Sequence, residues 1–194
     1  ILFVDDCHAI GVVGKSGRGT PDKFNVLGKV NVLSGTLGKA IGGALGGYVA
    51  GEKKMIEYLR QKSRPYTFSN SLPPAIVMAS IAAFDLLTKD KSIVKHLHDN
   101  TAYFRREIVA LGFKIIGGDH PIVPVMLGEA SIAQEMSKAL LKAGVYVKGL
   151  WFPVVPKGEA RLRVQISASL SKKNIDHALN AFESVGKKLK IISA

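Results

Sequence analysis

Several things are scarce in this chain of 194 residues, and each scarcity removes a class of protein. Cys7 is the single cysteine, so a disulfide framework is excluded and a reducing compartment is the natural setting. No uninterrupted apolar run approaches the roughly 18 residues that a membrane helix needs. Internal repeats and low-complexity tracts are missing. Acidic residues are few, 15 against 27 Lys and Arg, and the formal net charge of +12 invites a nucleic-acid partner. Against that stand an aromatic content of only 7% and the lack of any Arg-Gly or basic helical tract. What the chain does have is 47% hydrophobic residues, enough for a folded core.

The chain opens Ile1-Leu2-Phe3-Val4, with neither Met nor a signal-peptide pattern. That run reads as a buried parallel strand, and domains rarely begin inside a core strand. The expectation is the C-terminal part of something longer, with any targeting segment lying in what precedes. Further strands are expected over 30–34 and 46–50, and their apolar character suggests a sheet covered on both faces. A helix over 52–62 has Met55, Ile56 and Leu59 on one face and is stopped by Pro65. Leu72-Pro73-Pro74 opens another, since proline is tolerated in a first turn. It runs to about Leu87, apolar nearly all round, and is expected to be buried.

Lys89-Asp90-Lys91 looks like a hinge, dividing a first part, 1–89, from a second, 90–194. The second part should hold a polar helix over 93–111 ended by Gly112, strands over 113–116 and 122–127, and a helix opened by a capping box at Ser131 and Gln134. Gly144 ends that helix. Strands over 145–148 and 161–166 follow, then a final helix capped by Ser171 with Ile175, Leu179, Phe182 and Val185 along one stripe. The fold class expected is α/β for the first part, with a smaller α+β domain after it.

Three segments are candidates for chemistry. Residues 9–16, with Gly14-Lys15-Ser16, fit a relaxed P-loop, but Gly17, Gly19 and Pro21 forbid the helix that must open at Lys-Ser. Val4-Asp5-Asp6-Cys7-His8 places two acids and an imidazole just past a strand's C-terminal end, where open α/β sheets hold ligands. It can be read as a carboxylate facing a cationic ring nitrogen, as Asp, Cys and His metal ligands, or as a polar turn. No second cluster supports the metal. The stretch 34–43, containing Thr36 and Lys39, puts a lysine in a glycine-rich, otherwise uncharged setting; it is either a buried amine beside a phosphate or a surface turn.

Together the last two segments carry more weight. A carboxylate after one strand and a buried-looking lysine 34 residues later meet the needs of a pyridoxal phosphate site. The lysine would form the Schiff base and the acid would keep the pyridine nitrogen protonated. Arg161 and Arg163, on one face of a strand, offer a fork for an amino-acid carboxylate; ordinary solvated charge is the alternative.

These residues resemble the C-terminal half of the α-oxoamine synthases, which are fold-type I pyridoxal phosphate enzymes. The resemblance rests on Val4-Asp5-Asp6-Cys7-His8 and on Gly35-Thr36-Leu37-Gly38-Lys39-Ala40, and extends over 59–74 and 151–168. It implies part of the large parallel-sheet domain followed by the small C-terminal domain. Asp5 would pair with the pyridine nitrogen and His8 would sit near the ring's phenolic oxygen. Thr36 would contact the phosphate, and Lys39 would carry the cofactor. Ser69 and Asn70 would reach the phosphate of the neighbouring subunit, and Arg163 would hold the substrate carboxylate. Cys7 stands where Ala or Ser is common, with little consequence expected.

The resemblance further implies a homodimer with its active site at the subunit interface, without metal, nucleic acid or membrane. Segments 59–74 and 151–168 look most like the branch that joins glycine to acetyl-CoA. The 7-keto-8-aminopelargonate, serine palmitoyl and 5-aminolevulinate branches are the alternatives. A mitochondrial place would follow for a eukaryotic source and a cytoplasmic one for a bacterial source. The family's first half is not in the chain, so the polypeptide alone is expected to be inactive.

Overall fold

Two short apolar runs near the N-terminus pair side by side, and everything proposed for the first part hangs from their ends. In the computed structural model, residues 1–42 and 45–193 are described. They form two compact units, Ile1–Lys95 and His96–Ala194.

The first unit is built on a three-stranded sheet of β1 (Phe3–Asp5), β2 (Val32–Thr36) and β3 (Gly47–Gly51), in that order. β1 and β2 are parallel, with Asp5 level with Ser34; β2 and β3 are antiparallel, with Gly35 level with Tyr48. Successive side chains of a strand point to opposite faces. Asp5, Ser34 and Thr36 therefore share one face, and Gly35 and Tyr48 the other. Gly35 has no substitute there, because a Cβ would overlap the Tyr48 ring, which is also edge-on to Phe84 at 5.8 Å.

The link from β1 to β2 is a coil of turns containing only α1 (Thr20–Lys23). Glycines with positive φ shape it, among them Gly14 at 88° and Gly19 at 89°. Lys15 and Ser16 lie in these turns and not at a helix start; Ser16 donates through both N–H and Oγ to Asp22, at 3.0 and 2.9 Å. The phosphate-cradling helix of a P-loop is absent from this stretch.

After β3 come α2 (Lys53–Lys62), the single turn α3 (Arg64–Thr67) and α4 (Pro74–Lys89). Two expectations fail here. The sheet is not covered on both faces: β1 and β3 are edge strands, exposed at most positions. Nor is α4 buried all round. Ser80 is its one buried residue, while Met78, Ile81 and Leu86 are exposed. Its inward stripe reaches the sheet through Phe84 on Tyr48, and three short strands are too narrow a surface to cover its other sides.

The second unit has a four-stranded antiparallel sheet of β4 (Lys114–Ile115), β5 (Ile122–Gly128), β7 (Ala160–Gln165) and β6 (Lys148–Leu150), in that spatial order. Its helices are α5 (Ser92–Ala110), which spans the division, α6 (Ala130–Lys142) and α7 (Lys172–Lys188). One face of the sheet supplies buried Val123, Val125, Leu162 and Val164 to the core. On the helix side Phe182 is fully buried, with Phe104 and Phe113 edge-to-face at 6.1 and 5.7 Å.

Ser171 caps α7 as expected, within a reciprocal box with Asn174. The box expected at Ser131 is not made: Glu129 is the N-cap and α6 starts at Ala130, so Ser131 is already helical. The strand expected over 145–148 is observed as Lys148–Leu150, because residues 143–147 close the helix against Leu140 before pairing begins. No described helix is long and apolar enough to cross a membrane.

Candidate active site

The turn after β1 puts two adjacent acids into opposite environments. Asp5 is the last residue of the strand and exposed; Asp6 is 1% exposed. Asp5 Oδ1 accepts the Cys7 N–H at 2.9 Å. Hydrogen bonds from the Cys7 side chain and backbone hold the Asp5 carboxyl below the usual carboxylate range, and the charges of Lys39 and His8 pull it the same way. The Cys7 thiol is in turn pushed up, first by its hydrogen bond to Asp5 and then by burial. Cys7 is thus more than a small filler: it holds the acid as a carboxylate. His8 follows on the exposed side of the turn.

β2 delivers the second half of the cluster. Thr36 Oγ1 donates to the Gly46 carbonyl and accepts the Gly38 N–H, both at 3.2 Å, which folds the chain back at the strand end. Lys39 sits in the bend that follows. It is exposed, not buried as its setting suggested. Gly38, Ala40 and Gly42 have too little side chain to cover it, and the bend lies beyond the sheet. Gly43, the end of the glycine-rich stretch, lies outside the described residues. Lys39 follows the end of β2, and its charge is felt by the Asp5 carboxyl, which it lowers, and by the Cys7 thiol. Asp5, Cys7, His8, Thr36 and Lys39 are therefore brought together at the C-terminal ends of a parallel pair, the edge where open α/β sheets bind ligands. Ser69 and Asn70 are exposed between α3 and α4, and among the described residues no hydrogen bond ties them to that cluster.

In the second unit the two strand arginines part company. Arg161 is engaged, donating to the Glu159 carbonyl at 2.9 Å and to its carboxylate at 2.7 Å. Arg163, at the middle of β7, has a buried Nε with no hydrogen-bond partner. Its cross-strand neighbours are Pro124 on β5 and Lys148 on β6, a ring without a donor or acceptor side chain and a second cation. A buried donor left open costs free energy, so the arrangement is set for an anion. Nothing in the spacing of Arg161 and Arg163 separated them; Glu159, two residues before Arg161, was the available signal. No group of three or more metal-ligating side chains occurs among the described residues.

Residues 1–182 match the family described as aminotransferase class I and II. The chain belongs to that family. Among curated relatives, the 2-amino-3-ketobutyrate coenzyme A ligase of Escherichia coli (strain K12) is 48% identical over 193 residues, all of this chain and 48% of that protein. The mitochondrial 2-amino-3-ketobutyrate coenzyme A ligase of Mus musculus is 49% identical over 187 residues, 96% of this chain and 45% of that protein. An 8-amino-7-oxononanoate synthase of Thermoanaerobacter pseudethanolicus is 46% identical over 192 residues, 99% and 48% of the two chains.

Among solved structures, a serine palmitoyltransferase from S. paucimobilis with bound PLP–myriocin superposes at TM-score 0.93 and 30% identity, over 99% of this chain and 48% of that one. An 8-amino-7-oxononanoate synthase from Francisella tularensis gives 0.84 and 28%, over 98% and 55%. The fold is that of the fold-type I pyridoxal phosphate-dependent transferases. The chain spans about half the length of the curated relatives it matches.

Proposed function

We propose that this chain is the lysine-bearing half of a pyridoxal phosphate enzyme that condenses glycine with acetyl-CoA to 2-amino-3-oxobutyrate and free coenzyme A. The observation that carries this is the parallel register that sets Asp5 level with Ser34, so that the acid and the bend bearing Lys39 both follow the C-terminal ends of β1 and β2. The donor set fits pyridoxal phosphate: a carboxylate for a protonated ring nitrogen, a primary amine for the aldehyde, and the Thr36 hydroxyl, which would exchange its Gly46 carbonyl for a phosphate oxygen. When bound, the group supplies the aldehyde that takes up an amino acid and the ring that accepts electrons from its Cα.

The chain's own residues would do the following. Asp5 holds the ring nitrogen, kept ionised by Cys7. His8 stands at the ring oxygen. Thr36 binds the phosphate, and Ser69 and Asn70 serve the phosphate of a partner subunit in a homodimer. Lys39 would hold the cofactor through its amine, and the same amine, when not so engaged, would take a proton from the glycine Cα. Arg163 grips the glycine carboxylate through its open Nε–H. The net change replaces one Cα–H of glycine by a Cα–acetyl bond, and coenzyme A leaves as the thiol.

The resemblance to the E. coli and mouse ligases favours glycine and acetyl-CoA. The 46% identity to an 8-amino-7-oxononanoate synthase supports a second reading, the same chemistry with another amino acid or acyl chain. The test uses the polypeptide of full relative length that carries this sequence, assayed for coenzyme A release over a panel of amino acids and acyl-CoAs. Release with glycine plus acetyl-CoA is expected. Release only with another pair supports the second reading, and a protein that stays colourless with pyridoxal phosphate, with no borohydride-fixed label on Lys39, overturns both.

A further inference from the structure

Asp6 sits one residue from the proposed cofactor acid, yet none of the steps above uses it. Its carboxylate is buried and both oxygens face the Thr20 N–H, at 2.9 and 3.2 Å. Its backbone is engaged as fully: the N–H donates to Ser34 O at 2.9 Å, and the carbonyl accepts from Ala9 and Ile10 at 2.8 and 2.9 Å. One residue therefore joins the end of β1 to β2, to the turn that follows and to the start of α1. The space for its carboxylate exists because Gly19 has no side chain; a Cβ there would overlap it. Gly19 is at φ 89°, a conformation that also favours glycine. On the same side of the sheet the half-buried Tyr48 phenol is pushed up by burial and then by the negative field of Asp6 and Cys7.

We propose that Asp6 is a positioning residue: its carboxylate, seated in the space Gly19 leaves and fastened to the Thr20 N–H, fixes the turn that presents Asp5, Cys7 and His8. The role in catalysis rests on the function proposed above; the positioning of the turn does not. A site residue held by a rigid neighbour keeps its geometry without moving when ligand arrives. The Asp-Asp pair then divides two tasks, with Asp5 open to ligand and Asp6 binding the turn to the scaffold.

Cys7 reports on that turn, because its thiol is hydrogen-bonded to Asp5 and also feels Lys39 and Asp6. The experiment is alkylation by iodoacetamide across pH 7–10.5, followed on the Cys7 peptide by mass spectrometry, in the wild type, Asp6→Asn, Asp6→Ala and Gly19→Ala, with circular dichroism alongside. The thiolate is the reacting form, so release of the turn should raise the rate at pH 8 and move the pH profile to lower pH in Asp6→Ala and Gly19→Ala. Asp6→Asn keeps an oxygen for the Thr20 N–H and loses only the carboxylate's field on Cys7, so its profile should shift less than that of Asp6→Ala. If Asp6→Ala does not fold, Gly19→Ala decides: it keeps the carboxylate but fills its seat and strains the φ 89° turn, so an unchanged Cys7 profile there overturns the proposal. Folded variants that melt earlier but keep the wild-type Cys7 profile would show a merely stabilising role and overturn the proposal. In the full-length polypeptide the same variants should lose pyridoxal phosphate more readily, with Asp6→Asn again less affected than Asp6→Ala. A wild type that binds no pyridoxal phosphate would instead refute the proposed function, leaving the Cys7 result to judge Asp6.

Discussion

Replacing Arg163 by Met should make the protein more stable while destroying its grip on an amino-acid carboxylate. The reasoning starts from the orphaned Nε. A buried donor without a partner costs about 1–3 kcal/mol, and the low end applies because Arg163 is only half-buried. Arg163 also faces Lys148 across β6 and β7, and like charges so placed cost a further few tenths of a kcal/mol, roughly. Met is unbranched, comparably long, and packs on Pro124 without a donor to satisfy. The expected gain is about 1 kcal/mol, which for a cooperative unit of this size raises Tm by about 4–8 °C. The assay is urea and thermal unfolding of wild type and Arg163→Met, compared at equal m-value, beside binding of glycine. Such a trade of stability against function is what a site held open for an anion implies. A loss of stability of about 1 kcal/mol or more would show that the guanidinium makes structural contacts, and would refute the reading of Arg163 as an anion site.

Other perturbations probe separate parts of the structure. Asp5 lies below its usual carboxylate range in the folded chain, so its contribution to stability is present above the unfolded-state pKa and is lost as pH falls through the folded one. Thermal melts between pH 5 and 3 should show a shallower loss for Asp5→Asn than for wild type; equal slopes would contradict the Cys7–Asp5 hydrogen bonding. Phe182→Ala removes the ring on which Phe104 and Phe113 stand edge-on and should cost about 3–5 kcal/mol by urea unfolding. Ser171→Ala deletes the capping box of α7 and should cost about 1 kcal/mol in the same assay. Gly35→Ala drives a methyl into the Tyr48 ring and should cost about 1–3 kcal/mol, with the Tyr48 fluorescence altered.

The parts of the fold legible in the sequence are those set by local chemistry. Ser171 and Asn174 declare the start of α7 because a cap is satisfied within one turn, and the stripe through Ile175, Leu179 and Phe182 marks its buried face. Gly17, Gly19 and Pro21 speak against a helix at Lys15 from residue type alone, and the turns observed there agree. The residue types at Asp5, Thr36 and Lys39 likewise point to a site, because a carboxylate, a hydroxyl and an amine that follow strand ends fall where open α/β sheets hold ligands. α6 starts two residues earlier than Ser131 and Gln134 suggest, because they satisfy the pattern of a cap without its geometry.

What tertiary structure alone decided concerns identical residues in different surroundings. Asp5 and Asp6 are the same letter twice, but strand alternation turns them to opposite sides, one open and one fastened to Thr20. Arg161 and Arg163 share a strand face, yet Glu159 engages the first and the second keeps a buried Nε open. Lys39 looked buried by its neighbours' composition and is exposed, since burial depends on what packs above a residue and not on what precedes it. Composition and spacing determined which chemistry the chain can offer. The register of β1 against β2, and the missing Cβ of Gly19, decided which acid is free to perform it.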